Sequence, residues 1–157
     1  IRDSATAVRL SREFGLKLVV VHGTEGYLVP ELLAEAGVPV ITGPCLTDRS
    51  KPELVGQTLD NPALLHRAGV KIAICTDHPE TPIQYLPLCA AMAVRGGLDP
   101  EEALAAITSS AAEIAGLSKQ VGTLTPGKDA DVVVTSGHPF DWNGSIRAVF
   151  LNGRRVK

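Results

Sequence analysis

Aromatic side chains are scarce in this chain of 157 residues, with three Phe, two Tyr and one Trp. No cluster of aromatics lies among basic residues, so the stacking platforms that hold single-stranded nucleic acid are missing. A formal charge of -2 and a pI near 6.1 likewise give no electrostatic footprint for nucleic acid or an anionic membrane. Cysteine is limited to Cys45, Cys75 and Cys89, odd in number, widely spaced and without a CxxC pair. That suits reduced thiols in a cytoplasmic protein better than a disulfide framework or a structural zinc site of paired thiolates. No apolar run approaches the ~20 residues of a membrane span, and no signal peptide is visible. Neither G-x-G-x-x-G nor a P-loop occurs, which leaves a nucleotide-binding Rossmann domain without its phosphate cradle. The sequence opens at Ile1 with no methionine and enters a helical pattern at once, as expected of a piece of a longer protein.

What the chain does have is an alternation of helical and strand patterns. Asp3 or Ser4 caps a first helix whose Ala7, Val8, Leu10 and Phe14 share a face, and Gly15 suits its C′ position. A strand over Leu16–Val21 ends at His22. A helix over Tyr27–Ala36 with Pro30 in its first turn, a strand over Val38–Thr42, and a helix capped by Asn61 with Pro62 at N1 follow. Leu46 to Asn61 has little hydrophobic period and reads as a long loop on the rim that carries His22. The next apolar run, Val70–Thr76, stops at Asp77-His78-Pro79. Helix, strand, helix, strand, helix, strand with short turns implies βα units and a parallel sheet. An apolar helical region, Thr81–Arg95, leads to Asp99-Pro100-Glu101-Glu102, a strong helix start, and Thr108/Ser109 opens one more. From Val121 the composition turns to glycine, proline and β-branched residues. The strand runs are Val132–Thr135 and Ile146–Leu151, with Asn152-Gly153 as a two-residue hairpin turn. A boundary falls near residue 118, giving 1–118 as the α/β part and 119–157 as a small β module.

Open α/β sheets and barrels place their chemistry at the carboxyl ends of the strands. Two strand ends here carry ligand-type side chains, His22 and Asp77. From spacing alone each has an ordinary alternative: Asp-His-Pro is good turn chemistry, and a lone histidine can simply pack against a backbone carbonyl.

The motifs VVVHGTEG, TDHP, LDPEEAL, TSSAAEIAGL, VGTLTPGKDADVVV and FLNGRRV together resemble the carboxyl-terminal part of the amidohydrolase superfamily. Within it they are most similar to the imidazolonepropionase-related group. The resemblance runs over essentially the whole chain but only about the last third of such enzymes. It implies an α/β fold, namely the last strands and helices of a (β/α)8 barrel followed by part of a β-sandwich. It also implies a divalent metal, zinc first with iron or manganese as alternatives. His22 would match the sixth-strand histidine and Asp77 the eighth-strand aspartate. Asp77 would be a metal ligand, and His22 would be a ligand in a two-metal site or, in a one-metal site, the catalytic residue that orients the water or the developing oxyanion. Asp77 would also move the proton of a hydrolytic water. Counterparts of the earlier ligands are absent from this sequence.

On this reading the parent is a metal-dependent hydrolase of C–N bonds in cyclic amides, amidines or dipeptide-like small molecules. The chain alone would be inactive, because a catalytic ion usually needs three or more protein ligands. Thr24 and His78 are the candidate substrate contacts, although each could equally be a solvated turn residue. His66 reads as a surface residue, His138 as structural in the Ser136-Gly-His-Pro turn, and Cys75 as a strand residue. Three barrel strands would leave two unpaired edges, so a homo-oligomer or association with a missing amino-terminal part is expected. The alternative is a binding or assembly protein on the same scaffold that has lost catalysis.

Overall fold

The computed structural model describes residues 2–157. Six helices and six strands follow in the order α1 (Arg2–Phe14), β1 (Val20–His22), α2 (Pro30–Glu35), β2 (Val40–Thr42), α3 (Asn61–Arg67), β3 (Ile72–Ile74), α4 (Leu86–Arg95), α5 (Pro100–Ala106), α6 (Ser109–Ile114), β4 (Val132–Thr135), β5 (Ile146–Leu151) and β6 (Arg154–Arg155). The first three strands form a parallel sheet in the order β1-β2-β3, with Val20 beside Val40 and Val40 beside Ile72. In this register His22, Thr42 and Ile74 lie level, so all three carboxyl ends open on one rim. The alternating pattern therefore specified a parallel α/β arrangement correctly.

The strands are shorter than the apolar runs. Pairing of β1 with β2 cannot extend back beyond Val40, because the preceding residue is Pro39, which has no N–H to give to a ladder. Val40, Ile72, Ala73 and Ile74 are buried together with Leu33, Leu65, Val70, Cys89, Ala90, Ala93 and Ala103. β3 is buried on both faces, with α4, α5 and α6 all packed against it, as expected of a parallel strand reading as a continuous apolar run. By contrast Val21 of β1 is 54 % exposed.

Three expectations need correction. Asp3 and Ser4 lie within α1, so neither caps it. On α1 the buried residues are Val8 and Ser11, whereas Leu10 and Phe14 are exposed. At about 100° per residue, Leu10 and Phe14 lie about 200° and 240° round from Val8, so one face cannot hold all three against the sheet. Ser11 is tolerated inside because its hydroxyl donates to the Val8 carbonyl at 2.8 Å. Asn61 is not the cap of α3: it is the first residue of the helix, and its side chain is buried and bonded elsewhere. The cap predicted at Asp99 does form, its Oδ1 accepting from Glu101 N at 2.9 Å and Glu102 N at 3.4 Å.

β4, β5 and β6 make a separate antiparallel sheet, with an irregularity between Val134 and Thr135. Asn152 (φ 48°) and Gly153 (φ 74°) supply the two left-handed residues of the β5–β6 turn. Phe140, in the loop between β4 and β5, packs against the main core.

Candidate active site

His22 closes β1 and Asp77 follows β3 by three residues, and the fold brings their side chains together. Nε2 of His22 lies 3.9 Å from Oδ2 of Asp77, and the two side chains are 44 % and 52 % exposed. Both residues have left-handed backbones, φ 68° for His22 and 51° for Asp77. Such geometry costs an L-residue about 1–2 kcal/mol. Among the described residues it occurs in one other non-glycine residue, Asn152 of the hairpin turn. Strain of this kind persists only where the surroundings over-determine it, and it gathers at functional sites.

The surroundings are visible. Nδ1 of His22 lies 2.7 Å from the Gly43 carbonyl oxygen. A carbonyl only accepts, so Nδ1 carries the proton, and in the neutral ring the lone pair sits on Nε2, facing Asp77. After β3, Glu80 N donates to Asp77 O at 2.8 Å and Thr81 N to Thr76 O at 3.1 Å. The buried Thr81 hydroxyl then donates to Leu46 O at 3.1 Å, joining the loops that follow β2 and β3.

A small cavity of about 50 Å³ opens beside His22, walled by Thr24, Cys45, Gln57, Ile74 and Cys89 among others. The long loop lies over it, as its aperiodic sequence suggested. Gln57 Nε2 donates to Pro44 O at 2.5 Å, Arg49 Nη2 to Gln57 O at 2.7 Å, and Tyr27 OH to Gly56 O at 3.1 Å. Thr24 lines the cavity, whereas His78 is exposed and lies outside its lining. The Cys45 thiol points at Cys89, its Sγ 3.7 Å from the Cys89 carbonyl oxygen. Side-chain hydrogen bonding with Cys89, then burial, pushes the Cys45 thiol up, and the same side-chain bonding brings Cys89 down to about 7 against the opposing effect of its burial. Burial raises the Cys75 thiol.

His66 is half-exposed, 3.9 Å from Glu102. His138 packs edge-on to Phe140, and its Nδ1 accepts from Phe140 N at 3.3 Å. Neither is near the His22–Asp77 pair by any recorded contact.

Among the described residues no three His, Cys, Asp or Glu side chains gather to hold a metal ion. His22 and Asp77 are nevertheless a matched pair of donors. Their 3.9 Å separation is below about 4.2 Å, twice a zinc–nitrogen or zinc–oxygen bond of about 2.1 Å, so one ion can reach both. The residues present thus fit part of a metal site. Sequence reasoning missed Asn61, Gln57 and Tyr27, which shape the rim. Asn61-Pro62 has the signature of a helix start, and nothing local separates that role from a cross-link to a turn 34 residues earlier.

Residues 4–156 match the model described as the amidohydrolase family. The chain belongs to the amidohydrolase family. An amidohydrolase from Thermotoga maritima superposes with a TM-score of 0.94 at 44 % identity, covering 99 % of this chain and 41 % of that one. Imidazolonepropionase from Geobacillus kaustophilus is 44 % identical over 70 residues, which are 43 % of this chain and 16 % of that protein. An adenosine deaminase from Xanthomonas campestris with bound zinc shares the fold, with a TM-score of 0.62 at 23 % identity over 94 % of this chain and 39 % of its own. This amidohydrolase chain therefore spans less than half the length of these relatives. Its α/β fold is that of the family's barrel-type structures. No helix among the described residues is long and apolar enough to cross a membrane.

Proposed function

We propose that this chain supplies the carboxyl-terminal part of a hydrolytic site that cleaves C–N bonds in small molecules, with cyclic amides, amidines and dipeptide-like compounds as the substrate class. Residues 1–118 would be the last strands and helices of a (β/α)8 barrel, and 119–157 the closing strands of a β-sandwich. The observation that carries the reading is the pairing of His22 Nε2 with Asp77 Oδ2 at 3.9 Å, the other ring nitrogen being committed to Gly43 O at 2.7 Å. An imidazole whose second nitrogen is held by a backbone carbonyl has a fixed tautomer and orientation, as ligating histidines do.

His22 Nε2 and Asp77 Oδ2 would hold a divalent metal together with ligands from outside this chain. Zinc is preferred because a structural relative carries it, and iron and manganese suit the same donors. When bound, the ion would act as a Lewis acid and make water available as a nucleophile near neutral pH. The chain's own residues do the rest. Asp77, half-exposed at the rim, takes a proton from the attacking water and returns it to the leaving nitrogen. Thr24 offers a hydroxyl from the cavity wall to orient the substrate. His78, exposed one residue beyond Asp77, would meet substrate from the solvent side.

Two donors do not retain a catalytic ion, so the chain alone is expected to be inactive. Calorimetric titration with zinc should give weak binding that His22→Ala abolishes. Tight stoichiometric uptake would contradict the partial-site reading. Binding indifferent to both His22→Ala and Asp77→Asn would favour a non-catalytic scaffold instead. As partner we propose a second copy or the remainder of a longer chain, meeting the sheet at β1. There Val21 is 54 %, Phe14 64 % and Leu16 62 % exposed.

A further inference from the structure

The turn after β1 is left-handed at two successive positions, His22 (φ 68°) and Gly23 (φ 48°). Glycine adopts this freely and histidine does not, so something must hold the turn in place. The side chain that meets it comes from α3. Asn61 is only 5 % exposed, and its amide spends both ends on the turn: Nδ2 donates to Gly23 O at 3.0 Å, and Oδ1 accepts from Tyr27 N at 2.9 Å. Within the turn, Gly26 N donates to Gly23 O at 2.8 Å. A Cβ at Gly26 would sit 3.3 Å from Leu65 Cδ1, which shows how closely α3 seats beneath it.

We propose that Asn61 is the positioning residue of His22. It staples Gly23 to Tyr27 and thereby sets the direction in which Nε2 faces Asp77. An amide suits this because its tip both donates and accepts in a fixed plane. Removing it would take the recorded partner from the part-buried Tyr27 N–H and leave the Gly23 carbonyl held by Gly26 N alone, which frees the turn to rearrange. No side-chain cap bond forms at the start of α3, so helix capping does not explain the residue. The inference takes the importance of His22 from the functional reading above, but its test reads only the geometry of the ring.

Two-bond proton–nitrogen correlation spectra of the His22 imidazole, recorded where the ring is neutral, report which nitrogen carries the proton. Asn61→Asp keeps the acceptor for Tyr27 N and loses the donor to Gly23 O, whereas Asn61→Ser shortens the staple beyond reach of both. Both variants should move the Nδ1 resonance downfield as the proton redistributes to Nε2. Leu65→Ala, which weakens the same helix without touching the turn's hydrogen bonds, should leave the spectrum unchanged. Asn61 variants with the wild-type signature would overturn the proposal, and so would an equal shift in Leu65→Ala. Should neither Asn61 variant fold, amide exchange in the wild type decides. A Tyr27 N–H as slow as the strand amides supports the staple, and one at open-loop rate overturns it. A failed zinc titration alongside a positive tautomer response would reject the functional reading and leave this inference standing.

Discussion

At His22 the ring is pinned at one nitrogen and open at the other, and the residue facing it, Asp77, makes no side-chain hydrogen bond among those recorded for the described residues. Asp77 thus sits in a left-handed conformation (φ 51°) with little local return in stability. Relieving that conformation with glycine recovers about 1–2 kcal/mol, of which glycine's own entropy cost removes about 0.5–1. Asp77→Gly should therefore raise stability by up to about 1.5 kcal/mol in urea unfolding while removing one donor of the proposed site. A loss of stability would mean that Asp77 has a structural duty the contacts do not show. Sequence alone marks both residues as strand-end side chains and leaves each with an ordinary explanation. What lifts them together is the shared register of β1, β2 and β3, a tertiary property.

At the scale of elements, α6 is tied to the start of β3 by the Lys71–Glu113 ion pair. The Lys71 ammonium, through hydrogen bond and charge, lowers the Glu113 carboxyl from its ordinary value of 4.5. A carboxyl with a depressed folded value stabilises the fold above the unfolded value and loses that contribution as pH falls through the folded one. Wild type and Glu113→Gln should therefore differ in denaturant midpoint above about pH 4.5 and converge below it. The difference should also shrink with added salt, because the pair lies at the surface. Midpoints that stay parallel down to acid pH would remove the pair from the account. The elements themselves are largely legible locally. Gly15 and Gly37 end helices at φ 62° each, Pro30 and Pro62 mark helix starts, and Asp99 caps α5. Strand ends and helix faces are less so: Pro39 shortens β1 through its neighbour β2, and the buried side of α1 depends on what packs there.

For the whole molecule, the described sheet has β1 at one edge, with apolar residues exposed around it, and β3 at the other, packed by α3, α4, α5 and α6. Edge strands with apolar surroundings recruit partners. Sedimentation over rising protein concentration should therefore show self-association, and Val21→Lys should weaken it. A monodisperse monomer at high concentration would contradict a second copy as the partner. Periodicity, capping residues and turn glycines determined the α/β order, the hairpin at Asn152-Gly153 and the motifs that place the chain among amidohydrolases, because these rest on interactions a few residues apart. Only the tertiary structure decided that His22 faces Asp77, that Gly43 selects its tautomer, and that Asn61 belongs to a turn rather than to its own helix. Those are contacts across 55, 21 and 34–38 residues of chain. A side chain's local sequence cannot tell a donor awaiting a distant carbonyl from one that caps the helix it begins.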